Sequence, residues 1–189
     1  MQAFDSLSRD IQQYIYDKGW PSLKNIQNAA IKQVANTDHN LILSAPTASG
    51  KTEAAFIPAL NSVEDSETGL KVLYVSPLKA LINDQFQRIS ELSEYLDIPI
   101  TRWHGEVSQT QKRKVVNQPK GILLITPESI EGMLVNRPGE AEHLFKGVEW
   151  IIIDELHSFL GTERGIHLQS LLQRISRFMQ APRFIAMSA

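Results

Sequence analysis

The fold is decided by one stretch, Leu41-Ile42-Leu43-Ser44-Ala45-Pro46-Thr47-Ala48-Ser49-Gly50-Lys51-Thr52. A short apolar run is followed by a loop and then by a helix-forming segment, the order that a phosphate-binding loop requires. In such a loop, backbone N–H groups and a helix N-terminus face the phosphates, and an ammonium and a hydroxyl group complete the site. A helix cap with an incidental Gly-Lys-Thr is the alternative. The predicted phosphate-binding residues are Pro46, Thr47, Ala48, Ser49, Gly50, Lys51 and Thr52.

Short apolar runs alternate with longer amphipathic segments along the chain. Unbroken apolar runs are typical of strands in a parallel sheet, because helices cover both of its faces. Apolar residues at helical spacing mark Glu53–Leu60, Leu78–Leu96 and Ile166–Phe178. This alternation predicts an α/β domain with a doubly wound, mainly parallel sheet and helices on both faces. A weaker strand pattern lies at Ile98–His104, and an exposed acidic loop is predicted at Val63–Gly69. The strands predicted to be buried on both faces are Leu41–Ser44, Val72–Val75, Ile122–Ile125, Ile151–Ile153 and Phe184–Met187.

The composition excludes several classes of protein. The 189 residues are 42% hydrophobic and carry a formal net charge of −2, which suits one domain but gives no overall basic charge for binding nucleic acid. Cysteine is absent, so a disulfide scaffold and thiolate metal sites are excluded. No apolar run approaches the ~18 residues of a membrane span, and no signal peptide is visible. We therefore expect a cytoplasmic protein without membrane contact.

A second candidate segment, Asp154-Glu155-Leu156-His157, follows the last residue of the predicted strand Ile151–Ile153. Ligands of such sheets bind at the carboxyl ends of the strands. Near a bound triphosphate, Asp154 and Thr52 can hold Mg²⁺, and Glu155 can polarise a water for in-line attack. Alone, an Asp-Glu pair is more typical of a solvated strand end, so the pairing with the phosphate loop carries the interpretation. His157 has no partners at metal-ligand spacing, and we expect it to bond toward the loop after the last strand. The predicted catalytic residues are Lys51, Asp154, Glu155 and His157.

These motifs resemble those of superfamily 2 helicases of the DExH type, and the connecting stretches resemble the large-helicase-related (Lhr-type) branch. The resemblance covers the chain from about Gly19 to its last residue and implies a RecA-like P-loop domain. Ala45 and Ala48 stand where the family commonly has glycine. The segments that carry the resemblance are Ser49–Phe56 (motif I), Ser76–Leu81 (motif Ia), Thr126–Ser129 (motif Ib), Asp154–His157 (motif II) and Gly161–Gly165.

The resemblance implies ATP and Mg²⁺ as ligands. Gln27 resembles the glutamine of the family's Q motif, whose amide can donate to and accept from the adenine edge. The Pro-Thr pair that usually precedes this glutamine is Leu23-Lys24 here. Phe4 is a candidate for stacking on adenine. The alternative for Gln27 is an ordinary exposed helix residue.

The resemblance also implies a DNA or RNA strand as a partner. In the family, motifs Ia and Ib contact the sugar–phosphate backbone, and helix N-termini after Pro77 and Pro127 favour anions. Thr-Pro-Glu at 126–128 is alternatively ordinary helix capping, and the basic residues between Arg102 and Lys120 are alternatively a solvated helix face. The predicted strand-binding residues are Ser76, Pro77, Leu78, Lys79, His104, Gly105, Thr126, Pro127 and Glu128.

Together these features predict the ATP-binding domain of an ATP-dependent helicase or translocase. The chain ends at Met187-Ser188-Ala189, where motif III of the family reads Ser-Ala-Thr. Residues 1–189 are therefore expected to be one RecA-like domain without the second RecA-like domain of the motor. Such a domain is expected to bind nucleotide but to hydrolyse it poorly. Two alternatives stay open, a nucleotide-gated binding module and a protein-translocating ATPase with the same core.

Overall fold

The strands form a parallel sheet at the centre of the domain. The computed structural model describes residues 3–46, 48–63 and 68–189. In these ranges the strands are β1 (Leu41–Ser44), β2 (Gly69–Val75), β3 (Ile100–Trp103), β4 (Lys120–Ile125), β5 (Trp150–Ile153) and β6 (Arg183–Ser188). They lie in the order β1-β6-β5-β2-β4-β3, and all neighbouring strands are parallel. The weaker strand pattern at 98–104 is confirmed as the edge strand β3.

The α-helices cover both faces of this sheet. They are α1 (Arg9–Asp17), α2 (Asn25–Asn36), α3 (Lys51–Val63), α4 (Lys79–Tyr95), α5 (Gln109–Asn117), α6 (Pro127–Asn136), α7 (Pro138–Phe145) and α8 (Glu163–Ile175). Buried residues of α1 to α4 belong to one apolar cluster, and those of α5 to α8 belong to a second cluster on the other face. The predicted doubly wound α/β architecture is therefore confirmed. None of the helices in the described ranges is long and apolar enough to cross a membrane.

The helix that follows the phosphate loop, α3, is buried on nearly all sides. Its side chains from Ala54 to Leu60 are buried, and Phe56 and Ile57 have no exposed area. The helix packs against α2 and against β1, β2 and β6. Because a fully buried Ile or Phe side chain contributes about 1.5–3 kcal/mol, α3 is a firmly held base for the phosphate loop.

The prediction that every apolar run is buried on both faces is wrong for β1. Ile42 is 72% exposed, and only Leu43 of this strand is buried. β1 is an edge strand, in register with β6 so that Ile42 lies beside Ala186. Ala186 belongs to the core under α5 to α8, so the described helices on that face do not extend over β1.

The helix bounds differ from the predicted ones by a few residues. α4 covers the predicted segment within one residue at each end, whereas α8 begins at Glu163, earlier than predicted. The reason is a cap, because the Thr162 hydroxyl accepts a hydrogen bond from the Gly165 N–H at 3.1 Å. A 3₁₀ turn at Ser176–Phe178 completes the predicted segment. Residues 64–67 of the predicted acidic loop lie outside the described residues.

Candidate nucleotide and strand site

The predicted functional segments meet at the carboxyl edge of the sheet. Since all described strands are parallel, the residues that follow them are brought to one edge. Two strands are extended by one more ladder bond, from the Ser76 N–H to the Ile125 carbonyl at 3.1 Å and from the Asp154 N–H to the Val75 carbonyl at 2.9 Å. These bonds fix where each segment leaves the sheet. The segments begin at Ala45, Ser76, His104, Thr126 and Asp154.

The phosphate loop has a backbone conformation that requires glycine at one position. Gly50 has a φ of +88°, and a Cβ atom there would lie 2.7 Å from Nε2 of Gln27. Ala48 also has a positive φ, 61°, which costs a residue with a side chain roughly 1–2 kcal/mol. The Lys24 ammonium donates to the Ala48 carbonyl at 3.0 Å and supports this conformation. Thr47 lies outside the described residues.

Two hydrogen-bond donors of the loop lack strong partners. The Lys51 ammonium donates to the Pro46 carbonyl at 3.0 Å and to the Ala45 carbonyl. The Ser49 hydroxyl is buried and has no partner within the described ranges. A charged phosphate oxygen is a stronger acceptor than a neutral carbonyl, so both donors suit a phosphate ligand.

Gln27 is buried against the phosphate loop. Its Oε1 accepts a hydrogen bond from the Lys24 N–H at 2.8 Å and closes a capping box at the start of α2. The alternative of an exposed helix residue is therefore wrong, while adenine recognition stays a prediction. Phe4 packs partly buried with the N-terminal helices, where it lines a cavity with Trp20 and Leu23 but not with Gln27.

The acidic segment is held by a buried tyrosine. Asp154 is 6% exposed, and the Tyr74 hydroxyl donates to its Oδ2, while the Glu155 N–H donates to its Oδ1 at 2.9 Å. Tyr74 has no exposed area, and its ring centre lies 5.6 Å from that of Phe56 on α3. Burial raises the pKa of Asp154, while the Tyr74 hydrogen bond and the Lys51 charge act in the opposite direction. Lys51 and Asp154 follow β1 and β5, the two strands that flank β6 at this edge of the sheet.

The oxygen atoms near the loop fit a magnesium ion. The Thr52 hydroxyl donates to Oε1 of Gln85 on α4 at 3.1 Å, and both carboxylate oxygens of Asp154 keep a free lone pair. Mg²⁺ prefers oxygen ligands and is commonly held by one or two side chains together with substrate phosphates. Within the described residues, no group of three or more His, Cys, Asp or Glu side chains could hold a metal alone. A magnesium ion shared with phosphates is what this donor set suits.

His157 joins the acidic segment to the last strand. Its Nε2 lies 3.1 Å from Oε2 of Glu155, and its Nδ1 lies 3.3 Å from the Ser188 hydroxyl at the end of β6. Glu155 itself has a φ of +49°, in the left-handed region. The geometry agrees with the expected link toward the last strand, and the coupling role of His157 stays a prediction.

The segment after β2 is partly buried. Ser76 and Pro77 are buried, whereas Leu78 and Lys79 are exposed. The Lys79 ammonium forms an ion pair with Glu106, which lowers the pKa of that carboxyl. A strand phosphate would have to compete with Glu106 for Lys79.

The other two predicted strand segments carry polar side chains that are already buried or bonded. His104 is buried, burial lowers the pKa of its imidazole, and its Nε2 has no partner in the described part of the chain. Thr126 caps α6, since its hydroxyl accepts from the Ser129 N–H at 3.3 Å. Thr126 therefore does cap the helix, as the alternative interpretation predicted. In this segment Thr126 and Pro127 are buried and Glu128 is exposed. Gly105 follows His104 in a turn after β3.

Three residues of this edge are not among the predicted site residues. Tyr74 and Gln85 contact the predicted magnesium ligands. Arg164 contacts both Pro77 and Glu128, residues of the segments that follow β2 and β4. The phenol of Tyr74 inside an apolar run is a usable signal, because a buried hydroxyl needs a partner. Arg164 lies in the segment Gly161–Gly165 that carries part of the resemblance, but the contacts of Arg164 and of Gln85 leave no local pattern in the sequence.

A parallel sheet with a phosphate-loop sequence after β1 and an acidic pair after β5 defines a RecA-like P-loop domain. A family model described as DEAD/DEAH box helicase matches residues 24–189. The chain belongs to the DEAD/DEAH box helicase family.

Similar proteins agree with the Lhr-type resemblance. The ATP-dependent helicase Lhr-Core of Methanocaldococcus jannaschii is 30% identical over 93% of this chain and 22% of that protein. The Lhr helicase/uracil glycosylase of Escherichia coli is 35% identical over 77% of this chain and 11% of that protein. The solved structure of Mycobacterium smegmatis helicase Lhr bound to ssDNA and AMP-PNP is 28% identical, with a TM-score of 0.88 over 100% of this chain and 25% of that chain. The chain thus spans about a fifth of the length of the first curated relatives.

Proposed function

We propose that this chain is the ATP-binding domain of an ATP-dependent nucleic-acid helicase or translocase. The observation that carries the proposal is the sheet topology: the phosphate loop with Lys51 follows β1 and Asp154 follows β5, at the same edge of the sheet and with only β6 between these strands. The cation proposed to bind phosphates and the buried carboxylate proposed to bind a metal ion therefore lie at one edge of the sheet. The family match and the relative solved with ssDNA and AMP-PNP support the same function.

In this proposal the loop binds the phosphates of ATP. Lys51 exchanges its carbonyl partners for phosphate oxygens, which are charged and therefore stronger acceptors. The N-terminus of α3 and the Ser49 hydroxyl add donors. Thr52 and Asp154 hold Mg²⁺, which supplies charge neutralisation at the phosphates when it is bound. Gln27, whose side chain lies beside Gly50, is the proposed residue that reads the adenine edge.

Glu155 is the proposed base that positions the attacking water. Its carboxylate follows the metal ligand directly and is only half-buried, so water can reach it. The His157 ring lies between this carboxylate and the end of β6, with Nε2 facing Oε2 of Glu155 and Nδ1 facing the Ser188 hydroxyl. A change at the nucleotide is thereby passed to the segment after the last strand, which is the proposed coupling role of His157.

The proposed strand partner is DNA or RNA, bound at the starts of α4 and α6. Both helix N-termini lie at the carboxyl edge, and helix N-termini favour phosphates. Lys79 is exposed at the start of α4, and Lys112 of the basic helix α5 lies 5.8 Å from the centre of the Trp103 ring at the end of β3. Directional movement along the strand is proposed to need a second RecA-like domain. We also propose that the protein acts in the cytoplasm, where ATP and nucleic acid are both present.

The first test is strand-dependent turnover in the full-length protein. Single-stranded DNA or RNA should raise the ATP turnover rate, and strand affinity should fall steeply with salt, since phosphate contacts release counterions. Lys79→Ala should weaken binding about equally for all sequences and reduce the slope of log K against log[salt] by about 0.7. Fluorescence anisotropy at several salt concentrations measures both quantities.

Lys146→Ala is the matched control, because this exposed lysine follows α7 at the amino edge of the sheet. It should leave the salt slope unchanged. If the full-length protein showed neither salt-dependent binding of a single strand nor strand-stimulated turnover, nucleic acid would be the wrong polymer. An unfolded polypeptide would then be tested as the stimulating polymer, in line with the protein-translocase alternative.

A second test concerns the residue that orients Asp154. Tyr74→Phe keeps the ring beside Phe56 but removes the hydroxyl that donates to the Asp154 carboxylate. Loss of a bond that orients a metal ligand typically lowers metal affinity by about 10- to 100-fold. Titration of Mg²⁺ into the protein with a fluorescent nucleotide should therefore show a higher Mg²⁺ requirement, while nucleotide binding without Mg²⁺ changes little.

The control is Tyr14→Phe, which removes the hydroxyl of another buried tyrosine that belongs to α1. It should leave the Mg²⁺ requirement as in the parent. An unaltered Mg²⁺ requirement in Tyr74→Phe would show that the hydroxyl only fills the core.

A further inference from the structure

We propose that Arg164 is a positioning residue that holds the two strand-binding segments, after β2 and after β4, in one arrangement. The inference rests on the proposed function, because it takes these two segments to bind a nucleic-acid strand. It goes beyond that function by assigning the link between the segments to one side chain of α8.

The guanidinium of Arg164 contacts both segments at once. Its Nε and Nη2 donate to Oε1 of Glu128 at 3.0 and 2.6 Å, and Nη2 also donates to the Pro77 carbonyl. Pro77 lies just before the start of α4, Glu128 is in the first turn of α6, and Arg164 is in the first turn of α8. One side chain therefore joins the starts of three helices at the carboxyl edge.

The start of α8 is itself closely held. A Cβ atom on Gly165 would lie 2.0 Å from the Phe159 carbonyl oxygen, so only glycine permits this approach. The Arg164 guanidinium also lies 5.8 Å from the centre of the Phe159 ring. Phe159 directly follows the turn Leu156–Ser158, which begins after Glu155. The position of Arg164 thus depends on the segment that carries the proposed catalytic base.

The positive charge of Arg164 offsets the negative charge of Glu128 at the proposed strand-binding surface. The Glu128 side chain is 57% exposed at a surface proposed to receive phosphates, and an unpaired carboxylate there would repel them. Arg164 neutralises this carboxylate and leaves the attraction of the α6 N-terminus intact. A largely exposed ion pair adds little to stability, so removal of the Arg164–Glu128 pair is not expected to unfold the domain. A lysine cannot replace it, since a single ammonium lacks the fork of donors that reaches two acceptors.

The test is strand binding by Arg164→Gln in the full-length protein. Fluorescence anisotropy with a single-stranded oligonucleotide should show affinity lower by on the order of tenfold, and strand-stimulated ATP turnover should fall with it. The loss of strand affinity should exceed any loss of nucleotide affinity by a similar factor. Arg137→Gln is the matched control, because Arg137 forms an exposed ion pair with Glu140 at 3.4 Å.

A double variant separates charge from folding. Adding Glu128→Gln to Arg164→Gln should recover part of the lost affinity, because no carboxylate then faces the phosphates. The proposal is overturned if Arg164→Gln binds the strand like the parent or loses no more strand affinity than Arg137→Gln. It is also overturned if Arg164→Gln loses as much affinity for nucleotide as for the strand. In each case the parent still binds the strand, so the proposed function stands. If the parent itself binds no strand, the proposed function fails, and this inference fails with it.

Discussion

Replacing Glu155 by Gln should lower the rate of ATP turnover by about 100-fold or more while nucleotide binding is retained. The amide cannot accept a proton from the attacking water, but it keeps the shape of the carboxylate. It can also still accept from His157, whose Nε2 lies 3.1 Å from Oε2 of Glu155. The left-handed backbone at position 155 places the same demand on Gln as on Glu, so folding is not expected to change.

Single-turnover measurement with the full-length protein separates the chemical step from nucleotide binding. Glu142→Gln is a suitable control, because it makes the same change on an exposed residue of α7. Turnover at the parent rate in Glu155→Gln would remove this residue from the mechanism. A loss of nucleotide affinity equal to the loss of turnover would instead assign Glu155 to ligand binding.

The parts of the site that could be predicted from sequence are those formed by residues that are contiguous along the chain. The phosphate loop combines an apolar run, a glycine, a lysine and a helix within twelve residues, Leu41–Thr52. Asp154 and Glu155 likewise end an apolar run. Strand–helix alternation makes the sheet parallel, and a parallel sheet brings both segments to one edge. Their placement at the same edge therefore follows from topology alone, whereas the distance between them depends on the strand order.

The contacts that hold these residues could not be predicted, because they join distant parts of the chain. Tyr74 reaches Asp154 over 80 residues, Thr52 reaches Gln85 over 33, and Arg164 reaches Pro77 over 87. Each depends on which strands are neighbours. β2 lies beside β5, and only this order puts the Tyr74 phenol against the Asp154 carboxylate.

The exposed face of β1 was missed for a related reason. An apolar run indicates a strand of a parallel sheet, but it does not distinguish a central strand from an edge strand. Tyr74 and Ile42 illustrate the difference, since both lie in apolar runs and only Tyr74 is buried. The burial of Gln27 is similarly a tertiary effect, because it follows from the close approach of α2 to Gly50.

Replacing Lys51 by Ala should lower the affinity for ATP by about 10- to 100-fold, the value of a hydrogen bond to a charged group. The ammonium is the proposed partner of the phosphate oxygens. Mg²⁺ is proposed to be shared between Asp154, Thr52 and the nucleotide phosphates. Affinity for Mg²⁺ with nucleotide should therefore fall together with affinity for nucleotide, as measured by calorimetric titration with and without Mg²⁺.

Lys32→Ala is the control for this loss, because Lys32 is an exposed residue of α2 seven positions beyond the start of the helix at Asn25. The Ala45 and Pro46 carbonyls lose a donor in Lys51→Ala, so a thermal melt must accompany the titration to detect any collapse of the loop. A variant that melts like the parent and yet binds nucleotide more weakly by this factor assigns the loss to the missing ammonium. Binding of ATP with parent affinity by Lys51→Ala would contradict the phosphate-loop interpretation, and with it the nucleotide site on which the proposed motor depends.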